Sequence, residues 1–143
     1  MTDIQPILLS AITCNRVIFD KVSGMPSIID IVQVINAPQF PARHPQIVFF
    51  CELTNGHGTT ELQVRLVDAQ QDETVIFEKA GTVQFADVKQ IITLAMDLHG
   101  IVFPYPGEYR FQLLMSGDLL GERRIVCREA MRPPTARPDE LDR

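Results

Sequence analysis

The chain has 143 residues and a formal net charge of −5, with 45% hydrophobic and 22% charged residues, proportions typical of a globular domain. This acidic balance disfavours nucleic acid and anionic membrane surfaces as partners, because both attract basic faces. No apolar run is long enough to span a bilayer, and the first residues lack the basic region of a signal peptide, so the sequence predicts a cytoplasmic protein.

Short apolar runs follow one another along the chain at the spacing of strands. The clearest are ELQVRLVD (61–68) and YRFQLLM (109–115), in which apolar and polar residues alternate as in half-buried strands. Further runs with strand character are 7–14, 27–35, 47–53, 74–80, 91–98 and 119–127. The run 74–80 is short, which favours an edge position. The chain is therefore predicted to contain about seven or eight strands.

Turn-forming residues separate these runs, and the chain has ten prolines and eight glycines. The proline-containing segment 36–45 is interpreted as a connection, for example between two sheets. The segment 80–90 fits one helical turn or a short extra strand. This pattern predicts an all-β fold, an antiparallel β-sandwich of the immunoglobulin/C2-like, Greek-key or related kind, with a closed barrel as the alternative.

A single domain is predicted over residues 1–130. The remaining segment MRPPTARPDELDR (131–143) has three prolines and several charges with little to bury, which predicts a disordered tail. Its composition fits both an ordinary chain terminus and a partner-binding tail.

The segment FPYPGEYRFQLLMSGDLLGE (103–122) has the most regular pattern. Pro106 and Gly107 predict a tight turn, and Tyr109 is the first inward residue of the strand that follows. A tyrosine in this place is typical of the tyrosine corner of Greek-key sandwiches, in which the hydroxyl bonds to the loop backbone. Gly121 is predicted to be a bulge or a point of close packing. These are structural roles.

With these motifs the chain resembles the small bacterial proteins catalogued only as a domain of unknown function. The matching segments are VIFDKVSGMPSIIDI (17–31), Phe40-Pro41, ELQVRLVD (61–68) and the segment 103–122. The resemblance covers most of the chain except the tail. It implies a β-sandwich and no activity, because the family offers no known catalytic residues to carry over.

No catalytic or cofactor-binding motif such as GxSxG, a P-loop or GxGxxG is present. The histidines His44, His57 and His99 share no metal-ligand spacing. An enzyme would need His57 or His99 beside a carboxylate in a concave pocket. We therefore predict no catalytic residues, no cofactor and no enzyme activity.

The cysteines Cys14, Cys51 and Cys127 all lie in apolar runs. They are interpreted as buried, reduced thiols, which agrees with a cytoplasmic location. A disulfide between two of them is the alternative.

An acidic loop offers one candidate metal site. Asp68, Asp72 and Glu73 lie at the end of a predicted hairpin, and loop carboxylates gather Ca²⁺ in C2-type sandwiches. The competing interpretation is a solvated turn.

A small basic patch is a second candidate, on the last predicted hairpin. Its members are Arg110, Arg123, Arg124 and Arg128. The competing interpretation is a solvated face in which arginines pair with Glu108 and Glu122.

Two runs, 27–35 and 47–51, carry apolar residues on both faces of their strands, unlike a sheet with one wet face. Either loops or another subunit must cover the second face. We therefore predict a non-enzymatic interaction module that binds another protein or self-associates, as in a homodimer. The alternative is a sandwich that binds a small ligand or Ca²⁺ through its acidic hairpin loops.

Overall fold

The computed structural model describes residues 5–130, and every regular element in this part of the chain is a β-strand. The nine strands are β1 (Ile7–Phe19), β2 (Pro26–Ile31), β3 (Val34–Ala37), β4 (Ala42–Thr54), β5 (Gly58–Asp68), β6 (Thr74–Phe85), β7 (Ile92–Phe103), β8 (Gly107–Met115) and β9 (Asp118–Glu129). No helix in the described part is long and apolar enough to cross a membrane. The predicted tail, 131–143, lies outside the described residues.

The strands form two sheets that pack face to face. The four-stranded sheet has the order β2-β1-β4-β7, and the five-stranded sheet has the order β3-β9-β8-β5-β6. Neighbouring strands are antiparallel, except that β3 runs parallel to β9. The predicted all-β sandwich is confirmed.

The prediction of one continuous strand over 27–35 is wrong, because this run forms β2 and β3 in different sheets. Val32 donates its backbone N–H to the carbonyl of Thr13 at 2.7 Å, towards the four-stranded sheet. The carbonyl of Gln33 accepts from the N–H of Val126 at 3.2 Å, towards the five-stranded sheet. The chain therefore crosses between the sheets at Val32 and Gln33. The described part has nine strands, whereas about seven or eight were predicted.

The connection predicted over 36–45 is shorter in the structure. Residues 38–41 link β3 to β4 and thereby connect the two sheets. Pro45 lies within β4, but β1 pairs with β4 only from Val48 onward. The proline therefore costs no hydrogen bond to β1.

The edge position predicted for the run 74–80 is confirmed, because this run belongs to β6 at the end of the five-stranded sheet. β6 continues to Phe85. Half of the segment 80–90 is therefore an extension of this strand rather than a helical turn or a separate strand.

The core lies between the sheets and is built from alternate residues. The inward row of β4 is Ile47, Phe49, Cys51 and Leu53, and that of β8 is Tyr109, Phe111, Leu113 and Met115, each at most 1% exposed. Phe49 and Phe111 come from opposite sheets, and their ring centroids lie 6.2 Å apart. Burial of each such side chain stabilises the fold by about 1.5–3 kcal/mol.

The outward side of β4 is buried as well. Val48 and Phe50 expose only 3% and 4% of their surface. The register places Cys14 of β1 beside Val48, and Ala95 of β7 beside Phe50. Because these low exposures are found in a single copy, the chain itself covers the second apolar face of this strand. No second subunit is required at β4.

Candidate functional site

β1 and β2 form a two-stranded ribbon that extends beyond the β1–β4 ladder. The β1–β4 ladder runs from Ile7 to Cys14, whereas the β1–β2 ladder runs from Cys14 to Phe19. The second half of β1 therefore has one strand partner, and β2 is an edge strand of its sheet. Residues 15–31 are called the hairpin below.

The turn of the hairpin, residues 20–25, is organised by Asp20. Its carboxylate Oδ1 accepts hydrogen bonds from the backbone N–H groups of Val22 at 2.8 Å and Ser23 at 2.9 Å. The N–H of Asp20 donates to the carbonyl of Met25 at 3.0 Å. The bonds from Ser23 and then Val22 lower the pKa of the Asp20 carboxyl, which stays ionised and keeps accepting. The turn therefore has a defined shape.

Large apolar side chains of the hairpin are exposed. The exposed fractions are 97% for Val22, 66% for Met25, 54% for Ile31, 49% for Phe19 and 48% for Ile18. These five residues are called the hairpin patch. Single exposed apolar residues are ordinary, but several on one ribbon are typical of a contact surface.

Sequence analysis did not predict the hairpin patch, because most of it lies between the predicted strand runs 7–14 and 27–35, where turn-forming residues are expected. The available signal was the presence of Val22 and Met25 within that turn, where small and polar residues are usual. The two-sided apolar character of the run 27–35 was detected, and Ile31 at the end of β2 belongs to that run.

The hairpin is electrically neutral. It contains two basic residues, Arg16 and Lys21, and two acidic residues, Asp20 and Asp30, in a chain with a net charge of −5. Asp30 accepts a hydrogen bond from the Asn15 amide at 3.3 Å. A neutral ribbon is not repelled by a neutral partner surface, including another copy of itself.

The carboxylates of the predicted calcium site lie around the β5–β6 turn. Asp68 is 3% exposed, and it accepts from the N–H of Gln70 at 2.9 Å and from the hydroxyl of Tyr105. Asp72 and Glu73 are exposed and have φ angles of 48° and 56°. In the described part of the chain, no group of three or more His, Cys, Asp or Glu side chains is arranged to hold a metal ion. Asp68 instead joins two loops.

Tyr109 lies at the start of β8 and is fully buried. Its hydroxyl donates to the carbonyl of Tyr105 at 2.5 Å, and its ring meets Phe103 edge-on with centroids 5.0 Å apart. Burial raises the pKa of the Tyr109 hydroxyl, so it remains protonated and able to donate at neutral pH. This is the geometry of a tyrosine corner. Tyr105, which links the corner to Asp68, was not predicted.

The glycines singled out from the sequence lie where a Cβ would displace a neighbouring side chain. Gly107, which follows Pro106 at the start of β8, has a φ of 151°, and a Cβ there would overlap the side chain of Gln70. A Cβ on Gly121 would lie 2.5 Å from Cδ2 of Leu8, at the approach of β9 to β1. The β8–β9 ladder also shifts register next to Gly121.

Two arginines of the last hairpin, Arg110 and Arg124, have acidic partners. Arg110 Nη2 lies 3.0 Å from Glu108 Oε2, and Arg110 Nη1 lies 3.7 Å from Glu122 Oε1. Arg124 Nε lies 3.3 Å from Glu108 Oε1. Arg123 differs, because its Nε is buried without a hydrogen-bond partner in the described part. Two of the four members of the predicted basic patch, Arg110 and Arg124, therefore lie on a paired, partly solvated face. The other member, Arg128, is exposed.

A polar recess lies between the β4–β5 and β8–β9 turns. It is lined by Gln5, Pro6, His57, Thr59, Thr60, Met115, Ser116 and Asp118. His57 and Asp118 are both exposed, and among the described side chains Asp118 is 3.5 Å from the Gln5 amide rather than paired with His57. His44 and His99 lie in the neighbouring strands β4 and β7. The recess therefore brings a histidine and a carboxylate to one place without a hydrogen bond between them.

The three thiols are free and buried. Burial raises the pKa of the Cys51 and Cys127 thiols to about 12, and it also raises that of Cys14. These thiols are neutral at physiological pH and are poor nucleophiles. The structure thus agrees with the interpretation of buried, unpaired cysteines.

Comparison with protein families gives one match. The model of a family described as "Family of unknown function (DUF6941)" matches residues 9–128. No curated protein matches the chain.

Two solved structures resemble part of the fold. One is the Pseudomonas fluorescens alkylpurine DNA glycosylase AlkC bound to DNA containing an abasic site analog, with a TM-score of 0.45 and 17% identity over 66% of this chain and 27% of that chain. The other is a glycosyl hydrolase family 2 member from Bacteroides cellulosilyticus DSM 14838, with a TM-score of 0.41 and 16% identity over 71% of this chain and 17% of that chain. The chain spans less than a third of either protein, and this likeness carries no functional argument.

Proposed function

The chain belongs to the family of unknown function DUF6941, whose description names no activity, and from its surface we propose that it is a non-enzymatic interaction module. In this proposal the hairpin patch is the contact surface. The observation that supports it is the exposure of Ile18, Phe19, Val22, Met25 and Ile31 on one ribbon.

The hairpin patch gains free energy when a partner covers it. Removal of apolar surface from water contributes about 25 cal/mol per Å². The chain buries comparable residues elsewhere, such as Val48 and Phe50 on the outward side of β4, but leaves the patch uncovered. The bonds to Asp20 fix the turn before binding, so less conformational entropy is lost on association.

The alternative of a calcium-binding sandwich has less support. Asp68 is engaged by Gln70 and Tyr105, and the described part of the chain offers no cluster of metal-binding side chains. The proposal retains the cytoplasmic location expected from the sequence, where free thiols such as Cys51 stay reduced.

Capture of partners from the native host tests the proposed contact surface. The tagged full chain is compared with the triple variant Phe19→Ser, Val22→Ser and Met25→Ser, in cells that also express an untagged copy. We expect the wild type to retain a stoichiometric protein, either a different one or the untagged copy. The triple variant should retain at least about tenfold less, because the free energy lost with the apolar area of three large side chains exceeds the loss of about 1.4 kcal/mol that a tenfold change requires.

A matched triple variant controls for the loss of exposed apolar surface in general. Val75→Ser, Ile91→Ser and Val102→Ser alter residues that are 41%, 59% and 46% exposed outside the hairpin. This variant should retain the partner at the wild-type level, and thermal unfolding confirms that both variants fold. Equal capture by the two triple variants would show that the hairpin is not the contact surface.

A further inference from the structure

We propose that Arg123 binds a carboxylate at an open side of the sandwich, and that this carboxylate comes from the acidic segment DELD (139–142) of the same chain. The segment that follows β9 then forms a strap across the side of the two sheets. The contact involves residues other than the hairpin patch and is independent of the proposed function.

Arg123 is a cation on the inner face of its sheet. In the β8–β9 ladder it lies opposite Phe111, whose fully buried ring faces the other sheet. Residues paired in this way share one face of a sheet, so the Arg123 side chain points inward as well. The next inward residues of β9, Ile125 and Cys127, are at most 1% exposed. An arginine in such a row is unusual, because a charge removed from water needs a partner.

The Arg123 guanidinium lacks the partner that this position requires. Its Nε is the one buried side-chain nitrogen or oxygen without a hydrogen-bond partner among the described residues. A buried donor left without an acceptor destabilises a fold, and such atoms are rare in native proteins. The neighbouring Arg124 is exposed, and its Nε lies 3.3 Å from Oε1 of Glu108. Because a guanidinium presents several N–H groups in one plane, the acceptor that fits it best is a carboxylate.

The side of the sandwich next to Arg123 is open. β3 pairs with only the last four residues of β9, so in the described part the residues 118–125 have a free outer edge. β2 pairs with only the second half of β1, which leaves the outer edge of residues 7–12 free. These two edges lie together, because a Cβ on Gly121 would be 2.5 Å from Cδ2 of Leu8. Arg123 is partly exposed, so a segment that lies along this opening can contact it.

The segment 131–143 is long enough to reach Arg123. It follows Ala130, which a backbone hydrogen bond of 2.9 Å ties to the end of β3. Arg123 lies seven residues before Ala130, which corresponds to about 23 Å in a strand. The acidic segment begins nine residues after Ala130, and nine extended residues span up to about 30 Å. The chain can therefore fold back along β9 and place the acidic segment beside Arg123.

Charge and tethering favour this occupant. The acidic segment contains Asp139, Glu140 and Asp142 and no basic residue. A separate acidic molecule is repelled by a chain with a net charge of −5. A segment of the chain itself is held near Arg123 at a high effective concentration, which offsets this repulsion.

A double-mutant cycle on the full chain, measured by thermal unfolding at low salt, tests the contact. One change is the triple variant Asp139→Asn, Glu140→Gln and Asp142→Asn, and the other is Arg123→Gln. We expect the triple variant to lower the unfolding midpoint by about 3 °C, the shift typical for loss of one hydrogen-bonded ion pair in a domain of this size. In the Arg123→Gln background the same three changes should shift the midpoint by less than about 1 °C.

Arg124→Gln is the matched control, because Arg124 is adjacent in sequence and already has Glu108 as its partner. In this background the three acidic changes should lower the midpoint as much as in the wild type. Nuclear magnetic resonance of the ¹⁵N-labelled chain gives a second measurement. The Nε–H signal of Arg123 should move in the triple variant, and that of Arg124 should not. The Arg123 signal is assigned by its absence from Arg123→Gln, or from Arg123→Lys if the first variant does not fold.

Several results would overturn the strap. One is an equal midpoint for the wild type and the triple variant, and another is an equal decrease with and without Arg123. Inorganic phosphate gives a further outcome. A chain that is insensitive to the acidic changes but is stabilised by phosphate through Arg123 would make a free anion the occupant. The hairpin patch is tested separately by capture, so failure of the strap leaves the proposed function standing.

Discussion

Phe111→Ala is expected to lower the free energy of unfolding by about 3–5 kcal/mol. Phe111 is fully buried in β8, and its ring faces Phe49 from the opposite sheet at a centroid distance of 6.2 Å. The substitution removes apolar contacts and leaves a cavity between the sheets, where the backbone of neither sheet can easily collapse. Urea denaturation at constant pH measures the change.

Phe19→Ala is the matched control for this prediction, because it removes the same atoms from a side chain that is 49% exposed. Its cost in stability should stay below about 1 kcal/mol. The same substitution should weaken capture of the partner, since Phe19 belongs to the hairpin patch. Equal losses of stability in the two variants would contradict the assignment of Phe111 to the core and Phe19 to the surface.

Gly107→Ala is expected to cost about 2–4 kcal/mol. Its φ of 151° lies in a region that residues with a Cβ rarely adopt, which accounts for about 1–3 kcal/mol. The new methyl group would also displace Gln70, whose Oε1 accepts from the N–H of Glu108 at 2.7 Å, and the loss of this bond adds about 1 kcal/mol. Thermal and urea unfolding both report the change.

Gly81→Ala provides the comparison for Gly107→Ala. Gly81 lies in the edge strand β6, has no left-handed φ, and a Cβ there would meet its nearest neighbour, Cδ1 of Leu62, at 3.9 Å. Its substitution should change stability by less than about 1 kcal/mol. If Gly107→Ala were equally mild, the turn before β8 would not have the backbone conformation described here.

The sandwich was predictable because its strands follow a period of two. In the runs 61–68 and 109–115 the alternation alone assigned the inward residues correctly. The run 27–35 was misinterpreted because six of its nine residues are Ile or Val and no Gly or Pro marks a break. Its crossing between sheets depends on bonds from Val32 to Thr13 and from Val126 to Gln33, which are tertiary contacts. Local sequence does not encode such contacts.

The candidate site was harder to predict than the fold. Loop carboxylates look alike in a sequence whether they bind a cation, face solvent or hold loops together. Asp68 has the last role because Tyr105, far along the chain, donates to it. The hairpin patch was not predicted, because Val22 and Met25 lie in a turn between strands. Their exposure depends on how far the ribbon of β1 and β2 extends beyond β4. Burial distinguishes a carboxylate that holds loops together from one that faces solvent, and an exposed apolar residue from a covered one. It is a property of the whole fold and not of the local sequence.

Hydrogen exchange measured by mass spectrometry on the chain alone and in complex with the captured protein tests the central claim most directly. If the hairpin is the contact surface, amides in Pro26–Ile31 should exchange more slowly in the complex. Amides in the edge strand Thr74–Phe85 should exchange at the same rate in both samples. Protection that appears in Thr74–Phe85 while Pro26–Ile31 keeps exchanging freely would contradict the account.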